Sequence, residues 1–305
     1  MSGKTTDQSL KGVIAPMVTP FGADLVPDAR KFVAFGRVLT NLGLGLLPFG
    51  STGEGTSLSV DEKLALLDAL AAGGVPLGRV MAGTGACALS DSARLTAHAV
   101  ALGCGGVLML PPFYFKGVSE DGVFRFYAEV IERVGDARLR LYLYHFPQQA
   151  VVGIGHGLID RLLKAYPGTV AGMKDSSGDL AHMLSIRRAF PALDLFTGSE
   201  SLMLKVLRAG GAGCIATNAN INGAAMVELY NRWRDDDADL LQDAVAAFAQ
   251  AMMDFPFVAA TKALVAMASG DDTWRITRPP LDDLPMAEDA AIRARLAAAG
   301  YPLEG

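Results

Sequence analysis

The sequence is poor in cysteine. Its three cysteines, Cys87, Cys104 and Cys214, are odd in number, far apart and without a CxxC pair. That argues against a disulfide framework and a thiolate zinc site, and it points to a reduced, cytoplasmic compartment. Long apolar runs are also missing: none reaches the roughly 18 residues that a membrane-spanning helix needs, so no membrane partner is expected. The opening stretch, MSGKTTDQSLKG, is polar and lacks the apolar centre of a signal peptide; residues 1–11 are expected to form a short N-terminal arm. Basic charge is scarce. Against 32 acidic side chains stand 27 Lys and Arg, a net charge of −5, with a pI near 5.4, which speaks against a nucleic-acid partner. The four histidines, His98, His145, His156 and His182, show neither HxxH nor HxH spacing. No metal site and no cofactor are therefore expected.

Apolar residues, in contrast, are plentiful. They make up 51% of the 305 residues, enough for a large core in one big domain or two ordinary ones. The mean hydropathy of +0.29 is high, and it suggests apolar surface buried between subunits. The apolar residues are organised. Short runs lie near 12–21, 44–50, 79–85, 105–112, 140–146, 170–175, 193–199 and 213–220. They are apolar on both faces, as parallel strands covered by helices must be. Between them lie segments of helical period, such as 61–72, 91–103, 120–134 and 201–210, with Asp61, Ser90 and Ser119 as expected N-caps.

Eight such β–α units define an α/β chain with the pattern of a (β/α)8 TIM barrel. A doubly wound sheet ranks lower, because no GxGxxG opens a helix after the first strand. The barrel is expected over 12–235. Three further helical patterns, 240–254, 258–269 and 287–300, read as a C-terminal helical extension over 236–305. The charged stretch RWRDDDAD, 232–239, reads as a solvated helix end or loop.

In such barrels, chemistry sits at the C-terminal ends of the strands. Strand two ends in FGSTGEG, with Ser51, Thr52 and Glu54; strand four in PPFYFKG, with Tyr114; strand five in LYHFPQQ, with Tyr144 and His145. Strand six ends in VAGMKDSSGD, which places Lys174 behind four small or apolar residues. The other eight lysines lie in the arm, the helices or the loops. A buried ammonium is costly, and a lysine that gives up its proton is a nucleophile. A single strand-end lysine beside a tyrosine one strand away therefore favours Schiff-base chemistry over a lysine that merely reaches water. Cys104 and Cys214 read as core residues, and Glu54 as a capping or pairing group at the helix start.

GSTGE, YHFP and GMKDSSGD, in this order and spacing, resemble the N-acetylneuraminate lyase and dihydrodipicolinate synthase family of class I, Schiff-base-forming pyruvate aldolases. The resemblance runs from about residue 12 into the C-terminal helices. It implies Lys174 as the nucleophile toward pyruvate or a longer 2-oxo acid, and Tyr144 as proton shuttle. It implies a carboxylate-binding loop at Ser51 and Thr52, a relay of Tyr144, Thr52 and a neighbouring subunit's Tyr114, and a homotetramer built as a dimer of dimers. Gly198, Ser199, Glu200 and Ile215 complete the implied substrate-binding set. The chain departs from the dihydrodipicolinate synthases where an arginine follows the strand-five proline by two residues: here stand Gln148 and Gln149. His145 replaces the usual asparagine, either as a core histidine or as a polar group near the site. Three functions follow from the pattern: an aldolase or lyase acting on a 2-oxo-3-deoxy acid, a dehydratase using the same Schiff base, or a silent ligand-binding barrel.

Overall fold

All eight apolar runs are strands in the computed structural model, which describes residues 10–303. Most of the expected N-terminal arm, residues 1–9, lies outside the described residues. In chain order the first elements are β1 (Gly12–Ala15), α1 (Ala29–Asn41), β2 (Gly45–Leu46), α2 (Val60–Ala72), β3 (Met81–Gly83), α3 (Leu89–Leu102), β4 (Gly106–Met109) and α4 (Glu120–Val134). Then come β5 (Leu141–His145), the short α5 (Pro147–Ala150), α6 (His156–Ala165), β6 (Val170–Asp175), α7 (Leu180–Ala189), β7 (Asp194–Thr197), α8 (Met203–Arg208), β8 (Gly213–Ile215) and α9 (Gly223–Arg232). Three helices follow the barrel: α10 (Ala238–Met252), α11 (Phe257–Ser269) and α12 (Asp289–Ala298).

The sheet is parallel, in the order β2-β1-β8-β7-β6-β5-β4-β3. A single parallel bridge from Leu46 to Val80 joins its two edges. Side chains alternate across each strand. In β5, Tyr142 and Tyr144 enter the inner cluster with Ile14, Met81, Phe196 and Ile215. Leu141 and Leu143 belong instead to the cluster between the sheet and its helices. Gly172 on β6 makes room inside: a Cβ there would meet the Tyr142 ring at 2.4 Å.

Two expected helix starts move. The cap of α2 is Ser59, not Asp61, because Ser59 and Glu62 form a reciprocal capping box and Asp61 falls inside the first turn. The cap of α3 is Ala88, not Ser90, with no side-chain bond at all. Ser119 caps α4 as expected, accepting from the Gly122 amide at 3.1 Å. The RWRDDDAD stretch carries the end of α9 and a mostly exposed turn.

The helix α11 is apolar on all sides, and Val258 through Ala266 are all buried. A helix of that composition belongs in a core. It packs with Val18, beyond β1, and Trp274, against Ile221 past β8. The C-terminal helices thus cover part of the mouth of the barrel, where the strands end. Among the described residues no single helix is long and apolar enough to cross a membrane; α10 and α11 pass that test only as a pair bent by 108°.

Candidate active site

Parallel pairing of β5 with β6 sets Tyr144 opposite Lys174. Both side chains point into the barrel mouth, and both are buried, at 4% and 5% exposure. The Lys174 Nζ donates to the Tyr144 Oη at 3.3 Å and lies 4.5 Å from the centre of its ring. Phe146 stacks on the other side of that tyrosine, with centroids 5.7 Å apart. Among the described residues no carboxylate pairs with Lys174; its hydrogen-bond partner is a phenol.

The loop after β2 is held under strain. Phe49 and Glu54, neither of them glycine, take left-handed φ values of 64° and 55°. Such outliers cost roughly 1–3 kcal/mol each and persist where the surroundings impose them. Gly55 is required here, since a Cβ would stand 2.0 Å from the Phe49 carbonyl oxygen. The Thr19 hydroxyl donates to the Gly53 carbonyl at 2.7 Å. Glu54 is buried and ion-paired with Lys262 of α11, and its second oxygen accepts from the Arg278 amide at 2.8 Å. So Glu54 is a pairing residue, as expected, but its partners come from the C-terminal extension rather than the adjoining helix. Arg278 also donates to the Ser57 carbonyl at 2.7 Å and clamps Glu62 at 2.7 Å. That guanidinium holds the Glu62 carboxyl down to about 2. The result is a rigid loop that presents Ser51 and Thr52 at the mouth.

The Thr52 hydroxyl pairs with the Thr217 hydroxyl at 2.8 Å. Thr217 follows β8 in the ATNAN segment, which sequence reading placed at a strand end without giving it a role. Gly198, Ser199, Glu200 and Asn218 line a cavity of about 230 Å³ on the β7–β8 side. Burial pushes the Glu200 carboxyl up, and Asn218 Nδ2 donates to it at 2.5 Å. Ile215 is fully buried inside the barrel with Tyr142, Tyr144 and Phe196. Tyr114 is not drawn in. It is 74% exposed on the loop after β4, edge-on to Phe115.

Behind the barrel wall sits a second polar group. His145 and Asp175 pair in register one residue beyond Tyr144 and Lys174, so they face outward. His182 of α7 meets Asp175 Oδ2 through Nδ1 at 2.6 Å and stacks on His145 with centroids 4.7 Å apart. His145 Nδ1 accepts from the Ile154 amide at 3.0 Å. Burial pushes His145 below its ordinary value, against the pull of Asp175. Their ligand atoms lie within 4.8 Å, so these three residues could hold a metal. Spacing along the chain gave no sign of it, because the groups come from β5, β6 and α7. Sequence reading also missed Phe257, Val258 and Leu281, which reach the mouth from the extension.

A TIM barrel with a buried lysine against a tyrosine at its mouth, and a rigid hydroxyl-bearing loop beside them, defines a Schiff-base-forming lyase of the class I aldolase type. Residues 9–299 match the model of the dihydrodipicolinate synthetase family, and the chain belongs to that family. It is 39% identical to a DapA-like lyase of Chloroflexus aurantiacus over 67% of this chain and 69% of that one. It is 31% identical to the 4-hydroxy-tetrahydrodipicolinate synthase of Gluconacetobacter diazotrophicus, over 96% and 97% of the two chains. Among solved structures, the dihydrodipicolinate synthase of Agrobacterium tumefaciens superposes with a TM-score of 0.87 at 29% identity, covering 94% of this chain and 99% of that one. YagE of E. coli K12, solved in complex with pyruvate, gives 0.85 at 27% identity, over 95% and 98%.

Proposed function

We propose that this enzyme cleaves a 2-oxo-3-deoxy acid bearing a hydroxyl at C4, releasing pyruvate and an aldehyde. The observation that carries this reading is the buried Lys174–Tyr144 pair, 3.3 Å apart, with a phenol as the amine's neighbour. The neutral Lys174 amine attacks the C2 ketone and water leaves, giving an iminium. Tyr144 gives its phenolic proton to the hydroxyl that leaves C2 as water, and the resulting phenolate takes the C4 hydroxyl proton. The C3–C4 bond then breaks, its electron pair moves into the iminium, and the aldehyde departs. The enamine gains a proton at C3, and water hydrolyses the imine to pyruvate and free Lys174. Ser51, Thr52 and the backbone amides of their loop hold the substrate carboxylate. Thr217 fixes the Thr52 rotamer.

Tyr114 serves the site of a second copy of the chain, closing a relay through Thr52 to Tyr144 in a homotetramer of tight dimers. Its exposure together with Phe115, on a loop beside the mouth, supports that arrangement. The three free cysteines support a cytoplasmic setting.

A second reading, loss of water from the same iminium, is favoured by one observation. Glu200 is a buried carboxyl at the β7 end of the site, bonded by Asn218, and burial pushes it above its ordinary value, toward the acid form that assists a leaving hydroxyl. Incubation with pyruvate and borohydride should reduce the iminium onto the chain. Proton NMR of digests of 2-oxo-3-deoxy acids should then show the methyl signal of pyruvate. Trapping without pyruvate release from any such acid, and with a dehydrated product instead, favours the second reading.

A further inference from the structure

We infer that the part of the substrate beyond C4, the aldehyde that leaves, is uncharged and largely apolar. This deepens the function proposed above and rests on it. A cavity of about 640 Å³ opens at the mouth, the size of an ordinary small-molecule site. It shares Ser51 and Leu110 with a small cavity of about 30 Å³ that reaches Tyr144. A chain held by its carboxylate at Ser51 and by C2 at Lys174 has this larger space beside it to receive its far end.

The walls there are mostly apolar, with Thr56, Ser57 and Gln149 as uncharged polar side chains beside Ser51. Leu110 and Phe113 come from the segment after β4, and Phe257, Val258 and Leu281 from the C-terminal extension. Phe257 and Leu281 remain 43% and 39% exposed, and large apolar side chains around a cleft mark a binding surface. Among the described residues no lysine or arginine lines the cavity. Of its two acidic residues, Glu54 is already paired with Lys262 and the Arg278 amide, and Asp282 is exposed at the rim. A tail with a carboxylate or phosphate would be desolvated without a cation and beside Asp282. A polyhydroxylated tail would find Thr56, Ser57 and Gln149 to bond, but would lay its other hydroxyls on Phe113, Phe257, Val258 and Leu281. The polar alternative is the smaller cavity at Ser199 and Asn218, on the other side of Phe257.

The test is condensation run in reverse, with pyruvate and three aldehydes: hexanal or benzaldehyde, glyceraldehyde, and succinic semialdehyde. The apolar aldehydes should lead by about tenfold or more in kcat/KM, the discrimination an apolar pocket gives. Gln149→Arg, on the exposed rim of the cavity, should narrow the gap to succinic semialdehyde by about tenfold by adding the missing cation. Leu281→Lys offers the same change from the opposite rim. A lead for glyceraldehyde or succinic semialdehyde in the wild type overturns the inference, and so does condensation with none of the three. Borohydride trapping of pyruvate is measured in parallel. If Lys174 is not trapped, the Schiff-base reading itself falls; if it is trapped and the order of aldehydes is reversed, only the apolar tail falls.

Discussion

Among the described residues three lysines are buried, Lys63, Lys174 and Lys262, and the last two differ in their neighbours. Lys262 is fully buried on α11, beside the Glu54 carboxylate and the Ile276 carbonyl, the latter at 2.6 Å, and 4.4 Å over the Phe21 ring. Burial lowers its pKa, and Glu54 opposes that shift. Lys174 meets a phenol at 3.3 Å and the face of the same ring. An ammonium brings three donors and needs acceptors for them; a neutral amine needs few. The comparison teaches that burial alone does not make a lysine reactive. The surroundings of Lys262 bind a cation and tie the extension to the carboxylate loop. Those of Lys174 are a phenol and its ring at the mouth of the barrel, where a substrate reaches the amine.

Exchanging the two lysines for alanine gives the largest expected effects. Lys174→Ala should lower kcat by about 10³-fold or more, with a melting temperature at or above that of the wild type. Lys262→Ala should do the opposite. It leaves Glu54 buried without its cation, which costs about 3–5 kcal/mol, and denaturant titration should show it while borohydride still traps Lys174. Inactive Lys262→Ala protein with unchanged stability would reverse the two roles. Tyr144→Phe keeps the ring and its stacking on Phe146 but removes the proton carrier. It should lower kcat by about 10²–10⁴-fold without moving the melting temperature.

A smaller effect comes from the clamp around the same loop. Arg278 holds the Glu62 carboxyl at about 2, below the usual 4.5, so the folded state favours the carboxylate. That stabilisation is complete above pH 4.5 and is lost as the pH falls toward 2. Glu62→Gln should cost about 1 kcal/mol or less at neutral pH, given solvent screening. It should also flatten the loss of stability over that acid range. An identical acid profile would remove Glu62 from the clamp. The smallest expected effect is that of chelation. An iminium is its own electron sink, so turnover should survive EDTA, and activity restored only by zinc or magnesium would contradict the mechanism.

The strands were legible because parallel strands buried on both faces read as apolar runs, and Lys174 was legible because it interrupts one of them. The caps of α2 and α3 were misplaced by two residues each. In α2 the Ser59–Glu62 capping box was overlooked, and in α3 no polar side chain caps the helix, so Ser90 drew attention it does not carry. Ile215 entered the site only through the resemblance; its burial beside Tyr142 and Phe196 could not be read from the chain. The rest was hidden by distance along the chain. Thr217 meets Thr52 across 165 residues, and Lys262 meets Glu54 across 208. Phe257 and Leu281 reach the mouth only after the extension folds back over it. Pattern along the sequence finds elements and strand ends; it does not find which distant side chains share a wall.

The central claim is that Lys174, and not its buried counterpart, is the covalent residue. Peptide mapping by mass spectrometry after reduction of the pyruvate-treated protein tests this most directly. The account predicts one reduced pyruvate adduct per chain, on Lys174, absent from Lys174→Ala and retained in Lys262→Ala. An adduct on Lys262 or on Lys205 of α8, or an adduct that survives in Lys174→Ala, would contradict it.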